Sequence, residues 1–197
     1  MRIIRAEEGV PSANASGETV VCLGFFDGVH TGHAKLIGLA AEIARPHGWR
    51  VCVHTFDRMP AQVVRPEFAP RELTPLAEKA ALLQSLGVDI MAVSPFDEAM
   101  MRMRAGDFVR QILAEKLRAA WVVAGFHHRF GFRNEAGVRE LEGFCGRAGI
   151  GLSVMEPVKT PEGLLVSSTA IRNLLDAGDV AAAEAMLGRP LTTVSML

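Results

Sequence analysis

The sequence predicts an α/β fold, a doubly wound parallel sheet with helices on both faces, and three observations carry that prediction. Short apolar runs alternate along the chain with segments of helical periodicity, which is the rhythm of βαβ units. Those runs are continuously apolar, as strands buried on both faces require. The 197 residues are 49% hydrophobic and 22% charged, enough for one α/β core and too apolar for a disordered chain.

The elements follow in order. Gly9 to Glu18 is polar, with Pro11 and Gly17, and reads as a lead-in loop. Val20 to Phe25 is the first strand. After a Gly/His turn, Leu36, Leu39, Ala40 and Ile43 recur at helical spacing in a helix over Ala34 to Arg45, closed by Gly48. Arg50 to Phe56 is the second strand, and Pro60, Pro66 and Pro70 keep the next stretch irregular. Thr74 is the expected N-cap of a helix over Leu76 to Leu86, with Pro75 in its first position and Gly87 as its stop. Val88 to Val93 is the third strand, Phe108 to Leu117 a helix, and Trp121 to Ala124 the fourth strand. Val138 to Arg147 is helical and Gly151 to Met155 a fifth strand. Ser168 to Leu187 reads as two short helices broken at Gly178-Asp179.

Composition narrows the function. Lys and Arg number 21 against 22 Asp and Glu, a net charge of −1, so no global pull toward nucleic acid or acidic membranes is expected. No apolar run approaches the ~18 residues of a membrane span, and Met1 to Glu8 lacks a secretory apolar core. Three cysteines without CxxC spacing (Cys22, Cys52 and Cys145) point to reduced thiols and a cytoplasmic home. Cys22 and Cys52 fall in strand-like runs, where burial as small hydrophobes is expected.

Parallel sheets bind ligands beyond the C-termini of their strands. The first such turn is Gly24-Phe-Phe-Asp-Gly-Val-His-Thr-Gly-His33. Gly28 and Gly32 admit close backbone approach, and the helix that starts there offers free N–H groups to a phosphate. His30 and His33, three apart, can donate to the same anion as it gains charge in a transition state. Zinc held by Asp27, His30 and His33 is a weaker rival, because no other His/Cys pair has supporting spacing. Near the other end, Ser167, Ser168 and Thr169 offer hydroxyls at a helix start, with Arg172 one turn on to neutralise phosphate charge. The plainer role for that segment is an N-cap with a solvated arginine.

The run Phe26-Asp-Gly-Val-His-Thr-Gly-His33 resembles the HxGH motif of nucleotidylyltransferases, in the form carried by bacterial FAD synthetases. Leu73-Thr-Pro-Leu-Ala-Glu-Lys79, Leu86-Gly-Val-Asp89 and Pro95-Phe-Asp-Glu98 look like successive landmarks of their adenylyltransferase module. Ser167-Ser-Thr-Ala-Ile-Arg172 looks like its SSTxIR signature, and Ala177-Gly-Asp-Val180 with Leu187-Gly-Arg-Pro190 looks like its close. The resemblance runs from about Val20 to Pro190. It implies a Rossmann-like single domain over 1–190, a tail at 191–197, and no room for the riboflavin kinase module of bifunctional members.

The implied reaction is transfer of AMP from ATP to FMN, giving FAD and pyrophosphate, with Mg²⁺ accompanying ATP. The implied catalytic residues are His30, His33, Ser168 and Arg172. ATP binding would add Gly24, Phe25, Phe26, Asp27, Gly28, Gly32, Ser167 and Thr169, with Asp27 the carboxylate nearest the metal. Its plainer role is to cap the turn. ATP and FMN are the expected partners, FMN being made elsewhere, with a flavin-supplying or flavin-receiving protein left open.

Two loops depart from the family pattern. Thr55-Phe-Asp-Arg-Met-Pro60 stands where TFxPHP is usual, and Gly125-Phe-His-His-Arg-Phe-Gly131 where GxDFxFG is usual. Both are expected near the flavin, through Phe56, Met59, Pro60, Phe126, His127, Arg129 and Phe130. Met59 can pack on the isoalloxazine ring, and Arg58, His127, His128, Arg129 and Arg133 can meet a phosphate. Phe126, Phe130 and Phe132 suit core plugs as well as ring stacking. The departures leave open another phosphorylated acceptor, or a non-catalytic flavin- or nucleotide-binding paralogue.

Overall fold

The structure, a computed structural model, describes residues 1–11 and 18–191. Most of the expected lead-in loop (12–17) and tail (192–197) lie outside the described residues. Six parallel strands form one sheet: β1 (Arg2–Arg5), β2 (Thr19–Leu23), β3 (Arg50–Phe56), β4 (Ile90–Ser94), β5 (Ala119–Gly125) and β6 (Gly151–Met155). Their order is β1-β4-β3-β2-β5-β6. From β2 the chain steps outward through β3 and β4, then returns to place β5 on β2's other side. The switch point therefore lies at the C-terminal ends of β2 and β5, where such sheets bind ligands.

Among the described residues eight α-helices accompany these strands, the last two after β6: α1 (Thr31–Ala44), α2 (Pro60–Val64), α3 (Leu76–Ser85), α4 (Glu98–Arg102), α5 (Ala105–Asp107), α6 (Val138–Ala148), α7 (Ser168–Asp176) and α8 (Val180–Leu187). Beyond α5 the chain continues as a π-helix over Phe108–Lys116, closed by the Leu117 N–H donating to the Ile112 carbonyl at 2.8 Å. Alternation along β2 sends Val20 and Cys22 to one face, with Leu36, Ile37 and Leu83. Val21 and Leu23 go to the other, with Ile112, Leu113 and Leu141. A third cluster (Leu73, Ile171, Ala183, Met186 and Leu187) seats α7 and α8.

Three sequence expectations are revised. A sixth strand, β1, precedes the five foreseen; only Ile4 of its residues is buried, as befits an edge strand with arginine at both ends. α1 begins at Thr31, so Gly32 and His33 belong to its first turn. Thr74 does not cap α3: Pro75 holds that position, because the Thr74 hydroxyl is used in the site described next.

Candidate active site

The turn between β2 and α1 is conformationally costly. Phe26 (φ 56°) and Val29 (φ 39°) flank Gly28 (φ 80°) in left-handed geometry, which bulky and β-branched residues rarely adopt. Such a turn persists only where its surroundings over-determine it. Asp27, 3% exposed, is the centre of that restraint. Its Oδ1 accepts from the backbone N–H groups of Leu73 (2.9 Å) and Thr74 (3.0 Å). Its Oδ2 pairs with the Arg172 guanidinium, and its carbonyl accepts from the Ser168 hydroxyl at 2.8 Å. Gly28 is held from both sides: its N–H donates to Thr74 Oγ1 and its carbonyl accepts from Arg189, each at 2.9 Å. The two segments singled out from the sequence, 145 residues apart, are thus one construction.

His30 caps α1, its Nδ1 accepting the His33 N–H at 3.3 Å. That bond leaves the proton of the neutral ring on Nε2, where it can be donated to a ligand. The two imidazoles stack, centroids 3.7 Å apart and planes 14° apart. In-plane nitrogens of parallel rings do not converge on one ion, and no cluster of three metal-ligating side chains occurs among the described residues. Zinc at Asp27, His30 and His33 is therefore not supported. Burial holds His30 down at about 4. It lowers His33 as well, with help from the charges of His30 and Lys79. Both are neutral donors near pH 7. Gly32 makes the stack possible, since a Cβ there would sit 3.1 Å from the His30 ring.

Ser167 Oγ caps α7 by accepting from the Ala170 N–H at 3.1 Å, and Thr169 is exposed on an open groove beside Leu164 and Leu165. Arg172 spends Nε on the Arg71 carbonyl and Nη2 on Asp27, keeping Nη1 for another partner. With both its carboxylate oxygens engaged, Asp27 is a brace for the turn, and the metal role expected of it does not fit. Capping the turn, its plainer role, does.

Beside the turn, Gly24 and Phe25 enter the wall of a cavity of about 630 Å³ at the switch point, within the usual range for ligand pockets. Phe56, Phe96, Met100, Met103, Phe108 and Phe130 make it apolar, and Arg102, Arg129 and Arg133 stand in its wall. Of the residues expected to meet a flavin, Phe56, Pro60, Arg129 and Phe130 line it. Three others do not. Met59 is packed into the protein and starts α2, Phe126 is 48% exposed, and His127 is exposed. Arg58 pairs with Asp57 on the surface instead. His54 and His128 line the cavity as neutral rings, burial lowering them to about 3 and about 4. His54 Nε2 meets Ser94 Oγ at 2.9 Å.

Sequence reasoning missed Thr74, Lys79 and Arg189 as parts of the site, and the Met100–Met103 wall. Lys79 carried a signal: it shares a helical stripe with Leu76, Ala80 and Leu83, where a cation is out of place.

A doubly wound parallel sheet with an HxGH turn at its switch point defines a nucleotidylyltransferase-type protein. The chain belongs to the FAD synthetase family, whose sequence model matches residues 12–170. It is 33% identical over 175 residues to the bifunctional riboflavin kinase/FMN adenylyltransferase of Bacillus subtilis, covering 88% of this chain and 54% of that protein. The protein of the same name from Escherichia coli K12 is 32% identical over 193 residues, covering 96% and 60%. The chain thus spans a little over half the length of these relatives. Among solved structures, one titled macrolide-efflux protein from Streptococcus pneumoniae superposes with a TM-score of 0.83 at 28% identity, over 96% of this chain and 62% of that one. A pantoate-beta-alanine ligase from Francisella tularensis, at 16% identity and a TM-score of 0.59 over 93% and 77%, shares the fold.

Proposed function

We propose that this chain is an FMN adenylyltransferase. A phosphate oxygen of FMN attacks the α-phosphorus of ATP in line, the α–β bridging bond breaks, and FAD and pyrophosphate leave. The observation that carries this reading is the join at Asp27. It draws the HxGH turn and the Ser167–Arg172 segment into one phosphate-facing unit at the edge of an apolar cavity. A triphosphate suits the first; a flavin ring, with arginines to meet its phosphate, suits the second.

No protein nucleophile is needed, so catalysis consists of positioning and charge stabilisation. In this reading His30 and His33 donate to triphosphate oxygens from the start of α1, whose dipole adds positive potential. Ser168 holds the turn through the Asp27 carbonyl. Arg172 fixes Asp27 and meets the departing pyrophosphate with its remaining donors. Mg²⁺ arrives on ATP as part of the substrate; Asp27 is spent on Arg172 and backbone N–H groups, and the described residues hold no cluster of three metal-ligating side chains. The described residues contain no helix long and apolar enough to cross a membrane. Three buried free thiols suit the reducing cytoplasm.

The test is incubation of the protein with Mg²⁺, ATP and FMN, followed by chromatographic separation of flavins, with riboflavin run in parallel. FAD above the blank supports the proposal; its absence from a folded sample that binds ATP refutes it. The displaced Met59, Phe126 and His127 favour one second reading, the same chemistry on another phosphorylated acceptor. Pyrophosphate release across an acceptor panel separates the two.

A further inference from the structure

Lys79 lies midway along α3 with its side chain 0% exposed, among the most completely buried large side chains in the molecule. Its Nζ has no hydrogen bond. The nearest carboxylate oxygen, Glu72 Oε1, is 3.7 Å away, an ion pair but too long for a hydrogen bond. The other carboxylate acting on it, Asp27, is already taken by Arg172 and two backbone N–H groups. The ammonium instead sits 3.7 Å from the centroid of the Phe25 ring, the residue that opens the turn. His33, on whose titration Lys79 acts, has its own Nδ1 buried without a partner. Two unsatisfied polar atoms thus lie beneath the same turn, one of them a cation.

An incompletely compensated buried charge is expensive unless something else supplies the missing counter-charge. Glu72 is too far to do so fully, and no other acceptor reaches Nζ. Phe25, against whose ring Nζ packs, and His33, on whose titration Lys79 acts, belong to the turn and to the first turn of α1 that follows it. In the low-dielectric interior around Lys79, a polyanion bound at that turn is felt strongly.

The geometry points to Lys79 as a positioning residue of the triphosphate subsite. Its charge draws the polyphosphate onto the α1 N-terminus from below, and the ammonium holds the Phe25 ring that shapes the turn. This inference rests on the adenylyltransferase reading for the location of the triphosphate, not for the identity of the acceptor. It makes Glu72 a competitor: the carboxylate shares the lysine's field with the nucleotide and weakens the pull.

The test compares Lys79→Met, Lys79→Arg and Glu72→Gln in the full chain, by calorimetric titration with inorganic tripolyphosphate, ATP and FMN. Lys79→Met is expected to weaken tripolyphosphate and ATP by about tenfold and Glu72→Gln to tighten them by about threefold, as opposite changes of one unit charge require. Lys79→Arg keeps affinity near that of the native chain, and FMN affinity stays within about twofold throughout. In turnover, KM for ATP rises in Lys79→Met while KM for FMN does not. Equal losses for ATP and FMN, or weakening by Glu72→Gln, identify a merely structural lysine and overturn the inference. If Lys79→Met fails to fold, the sign of the Glu72→Gln change decides. A native chain that binds neither polyanion overturns the inference and the reading beneath it. A native chain that binds both, with variants indistinguishable from it, overturns the inference alone.

Discussion

Asp27 carries more of the site than any other side chain, and it does so by restraint. The left-handed Phe26 and Val29 would relax if the carboxylate released Leu73, Thr74 and Arg172. Removing one member of a buried ion pair typically costs about 3–5 kcal/mol, so Asp27→Ala is expected to lose most of the marginal stability of a domain this size. Chemical denaturation should show that loss, with Asp27→Asn intermediate because its amide oxygen still accepts from the backbone. His33 differs. Its ring packs against those of Phe26 and His30, and its buried Nδ1 holds no partner. His33→Ala is expected to cut turnover by about 10²- to 10³-fold, the usual cost of one transition-state donor. Circular dichroism and melting temperature should stay near native. Unchanged turnover would remove His33 from the mechanism.

Among the elements, β5 and β6 show how closely the sheet is fitted at the end away from the cavity. Trp121 lies opposite Gly151 in the ladder, and its indole N–H donates to Ser153 Oγ at 3.0 Å. A Cβ on Gly151 would fall 2.1 Å from that ring. Gly151→Ala is therefore expected to destabilise the fold by about 1–3 kcal/mol, the common cost of overpacking, and Trp121→Leu in the same chain should recover part of it. Thermal melts of the single and double variants check both statements.

The strands from β2 to β6 were legible because buried parallel strands are uninterrupted apolar runs, and α7 and α8 because Gly178 and Asp179 punctuate them. β1 was not. Arg2 and Arg5 bracket two isoleucines, of which Ile3 faces solvent, so the segment has neither the continuous apolarity nor the length that marks a strand. The histidine turn and the Ser167–Arg172 segment could be found because their residue types declare phosphate chemistry. Their union through Asp27 could not, because a pairing across 145 residues leaves no local trace. The cavity was half legible. Phe56, Pro60, Arg129 and Phe130 follow directly from strands, whereas Met100 to Met103 enter from the short helix α4 and its C-cap, whose direction only the fold sets.

At the scale of the whole molecule, four histidines are buried neutral. His30, His33, His54 and His128 are all held below the ordinary imidazole range, burial being the chief cause in each. The unfolded chain takes up protons below about pH 6.5, while the folded chain does not until about pH 4 or lower. Stability is thus fully present above pH 6.5 and declines as pH falls toward the folded values, by up to about 1.4 kcal/mol per pH unit for each group. Urea denaturation midpoints between pH 7.5 and 4.5 should fall accordingly. Replacing His128, whose Nε2 is buried without a partner, by phenylalanine should flatten that decline and raise the midpoint at pH 5. A midpoint indifferent to pH in this window would mean that these rings are not buried neutral.

The clamp on the Gly24–His33 turn also imposes an order in time. β2 and the two histidines are synthesised well before Arg172, Met186 and Arg189, which bind Asp27, Thr31 and Gly28 across 145, 155 and 161 residues. Until α7 and α8 dock, Asp27 lacks its cation and the turn has no reason to keep its strained shape. A nascent chain can therefore assemble most of its sheet before this turn is fixed. The proposed triphosphate subsite thus takes its shape only when α7 and α8 dock, and a polyphosphate bound there would act as a latch on those two helices.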